Sequence, residues 1–160
     1  MIKTICQVVP EENLENATLL MADCRYGLKH QVSAKEIVIF EAAGTRISRG
    51  ILHCLQNLKP GMTEREASEN CGFDGSPANM HPNINFGEEN VALGLNSPTE
   101  QERLKYGMPI GAGYGLRGSL VHKCGMYLRD RGDLPAEKSG YIEEFLMPYF
   151  ENVVSWYEML

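Results

Sequence analysis

Two helix-start signals flank a Pro-Gly break in this chain, and they constrain its fold more than any other feature. Ser33-Ala34-Lys35-Glu36 has the form of a capping box, in which the hydroxyl and the carboxylate each satisfy an orphan backbone N–H. Behind it Ile37, Phe40, Gly44, Ile47, Ile51, Leu55 and Leu58 recur at spacings of three and four, the apolar stripe of one long helix. Lys59-Pro60-Gly61 ends that helix, because proline removes a donor and glycine relaxes the backbone. Thr63-Glu64-Arg65-Glu66 then repeats the capping signature and opens a short helix that closes near Cys71-Gly72. Gly44, inside the long stripe, predicts the close approach of another backbone.

The flanking sequence is read by periodicity. Ile2 to Val9 is short and apolar on both parities before Pro10, which predicts a strand. Leu14, Ala17, Met21 and Cys24 predict a helix that stops at Gly27. Phe73 to Pro82 carries the glycine, proline, Asp, Ser and Asn chemistry of an ordered loop. Four strands are expected after it, at Ile84–Phe86, Val91–Leu95, Met108–Tyr114 and Leu120–Leu128, with a polar turn or a single helical turn at Pro98–Leu104. In the last strand Leu120, His122, Cys124, Met126 and Leu128 share one face, and Val121, Lys123, Gly125, Tyr127 and Arg129 the other. Tyr141, Phe145, Tyr149, Val153, Trp156 and Leu160 predict a C-terminal amphipathic helix restarted at Pro148, whose uncapped end suggests that the natural protein continues.

Composition narrows the function classes. A formal net charge of -6 argues against a nucleic-acid backbone or an anionic membrane as partner, since both attract basic surfaces. The five cysteines are odd in number and form no Cys-x-x-Cys, which points to a reducing cytoplasm. No apolar run is long enough to span a bilayer, and the start lacks the apolar stretch of a signal peptide.

Ser33 to Glu66, and above all Leu58-Lys59-Pro60-Gly61-Met62-Thr63-Glu64-Arg65-Glu66, resembles the long first helix and Pro-Gly-Met-Thr-Glu turn of the pita-bread catalytic domain. That domain is shared by methionine aminopeptidases, Xaa-Pro peptidases and creatinase. Ile84 to Asn90 resembles the family's strand followed by a Gly and an Asn, and Pro98 to Gly107 the segment leading into its metal-bearing hairpin, which would be Met108 to Tyr127. The resemblance implies an α+β fold, part of a pita-bread, with an antiparallel sheet and long helices packed on one face. Residues 31–160 would form the N-terminal half of the catalytic domain, and residues 1–30 the tail of an upstream domain or a leading strand and helix. In the family the other half supplies a histidine and two glutamates to a pair of metal ions.

The resemblance also implies two hairpin aspartates, which fall at Gly113 and Cys124 when Tyr114-Gly115 is matched to the usual ending, and a histidine near Gly94 or Leu95. None of the three is present, and Met108 to Arg129 contains no Asp or Glu. Two adjacent divalent ions need bridging anionic oxygens to offset their repulsion, so no metal site and no cofactor are expected from this segment. A divalent Mn, Co or Zn would be implied if the chain were nonetheless an active peptidase.

Several side chains remain as candidates for chemistry. His122 and Cys124, two apart on one strand face, have a spacing compatible with joint metal ligation, yet two ligands make no site and a packed pair is the plainer reading. His81, in Met80-His81-Pro82, is a candidate general base, against a simple loop histidine. Tyr114, Arg117 and Arg129 are candidates for binding substrate, the arginines together with Lys123 as carboxylate partners, against the reading of solvated strand residues. His53 and Cys54 read as packing or surface residues. Gly111, Gly113, Gly115 and Gly118 are no phosphate loop, because strand signals follow them where a helix would be needed.

Three classes follow: a metal-dependent aminopeptidase or dipeptidase, a metal-independent enzyme resembling creatinase, and a silent member kept as a binding or dimerising module. The expectation is a cytoplasmic, creatinase/Xaa-Pro-peptidase-like hydrolase of C–N bonds by ancestry, metal-independent or inactive. Its partner would be a small molecule or short peptide, and a homodimer is expected through an exposed sheet edge.

Overall fold

The computed structural model describes residues 2–5 and 7–159, so that Cys6 and the last member of the C-terminal stripe, Leu160, lie outside it. The chain divides into two compact units, Met1–Ile39 and Phe40–Leu160. In the first, Ile2–Ile5 is a helical turn (α1) and Thr18–Ala22 a short helix (α2). Where the leading strand was expected, residues 2–5 are helical and residues 7–9 form a turn, and the expected second helix is reduced to its middle. Lone short elements need tertiary packing to persist, and no described apolar side chain of this unit is buried.

The long helix forms as its caps dictate, at Ala34–Gln56 (α3). Ser33 N–H donates to Glu36 Oε2 (2.7 Å) and Glu36 N–H to Ser33 Oγ (3.3 Å), while Gly61, at φ 88°, turns the chain away beyond the far end. Its second half carries the seam Ala43, Ile47, Ile51 and Cys54, continued by Leu58. Ile37 and Phe40, at the start of the expected stripe, are exposed. The tight backbone approach is at Gly50, where an added Cβ would lie 2.6 Å from the Cys71 carbonyl oxygen and 3.3 Å from the Tyr114 ring. Gly44 meets a side chain instead, Ser119 Oγ at 3.3 Å.

The second capping box also closes reciprocally (Thr63 N–H to Glu66 Oε2, 2.8 Å; Glu66 N–H to Thr63 Oγ1, 3.2 Å) and opens Glu64–Glu69 (α4). Three antiparallel strands follow in the order β1 (Ala78–Phe86), β2 (Pro109–Leu116) and β3 (Ser119–Met126). Of the four strands expected, Val91–Leu95 does not form. It belongs to the helix Glu88–Ala92 (α5) and the turn after it, because Gly87 at φ 83° breaks the strand and Glu88 and Glu89 suit a helical first turn. β1 starts within the expected loop, and a register shift between Met80 and Asn83 accommodates Pro82.

One sheet face carries Ile84, Phe86, Ala112, Tyr114 and Leu116, which join the α3 seam, Leu58 and Leu104 in a single core. Each fully buried side chain such as Ile47, Ile84, Phe86 or Leu104 contributes on the order of 1.5–3 kcal/mol through burial. At the C-terminal end a π-helical turn, Tyr141–Leu146, runs into Met147–Glu158 (α6), with Pro148 at its second position as the restart requires. Tyr141, Phe145 and Tyr149 stack along it at centroid distances of 5.7 and 6.2 Å, yet Phe145, Tyr149 and Trp156 remain exposed.

Candidate functional site

The sheet face turned away from the core is built from three rungs with a glycine at the centre of each. Asn83, Gly113 and His122 stand directly opposite one another across β1, β2 and β3. Asn85, Gly111 and Cys124 form the next rung, and Met80, Gly115 and Leu120 the one on the other side. Residues opposite one another on antiparallel strands share a face, so β2 presents bare backbone between two rows of side chains. Alternation within β2 makes this inevitable: Gly111, Gly113 and Gly115 alternate with Ala112, Tyr114 and Leu116, which face the core.

The glycine floor is partly roofed. A Cβ at Gly113 would lie 2.6 and 2.7 Å from the two methyl carbons of Leu95 and 2.9 Å from the Met80 methyl. At Gly115 the Asn79 amide oxygen occupies the equivalent space. At Gly111 the nearest atoms, Val91 methyls at 3.9 Å and Cys124 Sγ at 4.0 Å, leave room. Val91 comes from α5 and Leu95 from the bend after Gly94, and between them the apolar residues expected to form a strand come to lie over the sheet. The segment is held there by Asn85, fully buried, whose amide donates to the Asn96 carbonyl (3.2 Å) and accepts from the Asn96 N–H (3.1 Å).

Two polar features border the floor. Asn83, 5% exposed, has a buried side-chain oxygen with no hydrogen-bond partner, an arrangement that native interiors rarely keep without a reason. On the other side His122 and Cys124 are both exposed, with Nε2 and Sγ 3.4 Å apart.

The other candidates do not converge on this floor. His81 is exposed on β1, in a cleft of about 550 Å³ lined with Arg65, Ser68, Phe73 and Pro98, while His122 stands on β3 with β2 between the two strands. Tyr114 is a core residue, 3% exposed and edge-on to Phe73, and burial raises its phenol above the ordinary value. Arg117 lies in the exposed turn between β2 and β3, its N–H on the Pro77 carbonyl. Arg129 forks onto Asp133 (Nη2–Oδ1 2.7 Å, Nε–Oδ2 3.2 Å) and covers the Tyr106 ring at 4.6 Å. His53 bonds the Asn70 carbonyl, and the buried Cys54 thiol donates to the Ala67 carbonyl at 3.1 Å.

A residue that sequence reasoning passed over is Glu64. Its carboxylate is fully buried and accepts from Phe86 N–H (2.7 Å), Asn90 Nδ2 (2.9 Å), and Thr99 N–H and Oγ1 (2.9 Å each). Together with Ser68, which accepts from Ile84 N–H at 3.2 Å, it closes the outer edge of β1. The geometry is commensurate: four helical residues advance roughly 6 Å, and two strand residues span roughly 6.6 Å. Asn83 and Asn85 were legible as the polar parity of Asn83-Ile84-Asn85-Phe86, whereas nothing local to Glu64 marks it as buried.

Gly113 and Cys124 stand where the resemblance places the hairpin aspartates. Gly113 offers no donor and its side-chain space is filled by hydrocarbon, Leu95 stands near the expected histidine, and Cys124 is a soft thiol. Among the described residues no three His, Cys, Asp or Glu side chains gather to hold a metal ion.

No protein-family model and no curated protein matches this sequence. Solved Xaa-Pro peptidases do match its backbone. An X-Pro aminopeptidase from Thermotoga maritima overlays with a TM-score of 0.51 at 16% identity, covering 59% of this chain and 29% of that one. A Xaa-Pro dipeptidase from Bacillus anthracis overlays at 0.48 with 19% identity, covering 57% of this chain and 27% of that one. A proline aminopeptidase P II from Yersinia pestis overlays at 0.49 with 19% identity, covering 61% and 24%. The match thus spans less than a third of each of those proteins. The first of them carries the assignment: over about 60% of its length this chain has part of the pita-bread fold, an α+β arrangement of helices and an antiparallel sheet, as the Leu58–Glu66 motif implied.

Proposed function

We propose that this chain is a segment of a creatinase/Xaa-Pro-peptidase-like protein, with C–N hydrolase ancestry, that binds a small molecule or short peptide without a two-metal centre. Its chemistry is metal-independent or silent. One observation carries this reading: the space an aspartate would need at Gly113 is taken by Leu95 and Met80. An aspartate enters there only if the ends of the Leu95 and Met80 side chains move aside.

The floor suits a ligand carrying N–H groups. Asn83 Oδ1 is an acceptor in want of a donor, and His122 stands across Gly113 from it, two strand spacings or about 10 Å away. Amides and guanidino compounds supply such donors. Leu95 and Met80 cover the centre of the floor, so a ligand reaches the buried Asn83 oxygen when they move aside.

The test uses the purified protein. It is titrated with Mn(II), Co(II) and Zn(II), and assayed on Xaa-Pro dipeptides and creatine with and without a chelator. The expected result is no tightly held pair of ions and no chelator-sensitive cleavage, together with measurable binding of a short peptide or guanidino compound that Asn83→Ala weakens. Two divalent ions per chain, with hydrolysis abolished by the chelator, would overturn the reading in favour of a metallopeptidase.

A further inference from the structure

We propose that Cys124 is a nucleophilic modification site that exchanges with low-molecular-weight disulfides, with His122 as its base. The inference does not depend on whether the chain hydrolyses anything. It rests on three observations about one strand face.

First, the two groups are in contact. Two-residue spacing on β3 puts both side chains on the same face, and Sγ lies 3.4 Å from Nε2, within hydrogen-bond range for sulfur. With the ring proton on Nδ1, Nε2 accepts from the thiol.

Second, the pair is open to a reagent. Both residues are exposed, and the residues opposite them on β2 are Gly113 and Gly111, so no β2 side chain stands beside the sulfur. A thiol that is buried in apolar surroundings is inert, whereas an exposed thiol beside a base is the reactive type.

Third, the other described cysteines lack this combination. Cys54 and Cys71 are buried, and Cys24, though exposed, shows no hydrogen bond to a base among the described residues.

The step balances without a further reagent. The Cys124 proton passes to His122 Nε2 and the thiolate attacks one sulfur of the incoming disulfide. That S–S bond breaks as the Cys124 S–S bond forms, and the departing thiolate takes the proton back from the imidazolium. Cys124 is oxidised and the leaving half of the disulfide is reduced.

The experiment treats the folded protein with glutathione disulfide, and separately with iodoacetamide, and maps the adducts by peptide mass spectrometry. Cys124 is expected to react about tenfold faster than Cys24, with Cys54 and Cys71 unmodified as an internal check on folding. His122→Gln is expected to remove that advantage and leave Cys24 unchanged, and Cys124→Ser to abolish the adduct. Equal rates at Cys24 and Cys124, or an unchanged Cys124 rate in the His122→Gln protein, would overturn the proposal.

Discussion

Glu64 shows how a single residue organises its surroundings. Its carboxylate has no cation beside it among the described ion pairs, and its charge is balanced by four hydrogen bonds from α4's neighbours on β1, α5 and the Thr99 loop. A buried carboxylate is tolerated when its lone pairs are satisfied. Glu64→Ala would strand several donors, each worth about 1–3 kcal/mol when left unpaired in a dry site, so a loss of at least about 3 kcal/mol is expected from urea melts. Glu64→Gln places an NH₂ group against donors and is expected to be destabilising as well. A loss below about 1 kcal/mol for the alanine variant would show that the network is dispensable.

Elements in this chain end where their local chemistry tells them to. Both capping boxes are complete within four residues, so Ser33 with Glu36 and Thr63 with Glu66 were readable before any tertiary contact was known. A third cap, beyond β3, was not anticipated: Asp130 and Asp133 bracket the 3-10 turn Arg131–Asp133, and Arg129 closes onto Asp133. The Arg129 side-chain hydrogen bond, followed by its backbone N–H, lowers the Asp133 pKa from 3.8 to about 2. A carboxyl depressed on folding contributes its full stabilisation above the unfolded value and loses it as pH falls through the folded one. The cap is therefore expected to weaken between pH 3.8 and about 2, followed by the Asp133 carboxyl shift in NMR. Arg129→Met is expected to return the Asp133 midpoint toward 3.8, and an unmoved midpoint would show that the arginine is not its cause.

At the scale of the whole molecule the sheet is asymmetric. The outer edge of β1 is sealed, with Ile84 N–H on Ser68, Phe86 N–H on Glu64 and proline at position 82, whereas among the described residues no strand pairs with the outer edge of β3. Hydrogen exchange in dilute solution is expected to protect Ile84 and Phe86 as strongly as the β2 amides, while every second amide of β3 exchanges freely. Rapid exchange at Ile84 and Phe86 would show that α4 does not hold that edge. The sequence by itself determined what depends on neighbours a few residues apart: the caps, the Pro-Gly break, the long helix, the β2–β3 hairpin and its alternating faces. It also settled the absence of carboxylates from the hairpin, because that is a matter of composition. Tertiary structure alone decided that Val91 would lie over β2 from a helix, that Leu95, from the bend after it, would fill the space at Gly113 from across the fold, and that Glu64 would be the buried acceptor. Those outcomes depend on which surfaces meet, and a short apolar run such as Val91 to Leu95 satisfies strand and helix alike until a partner surface selects one of them.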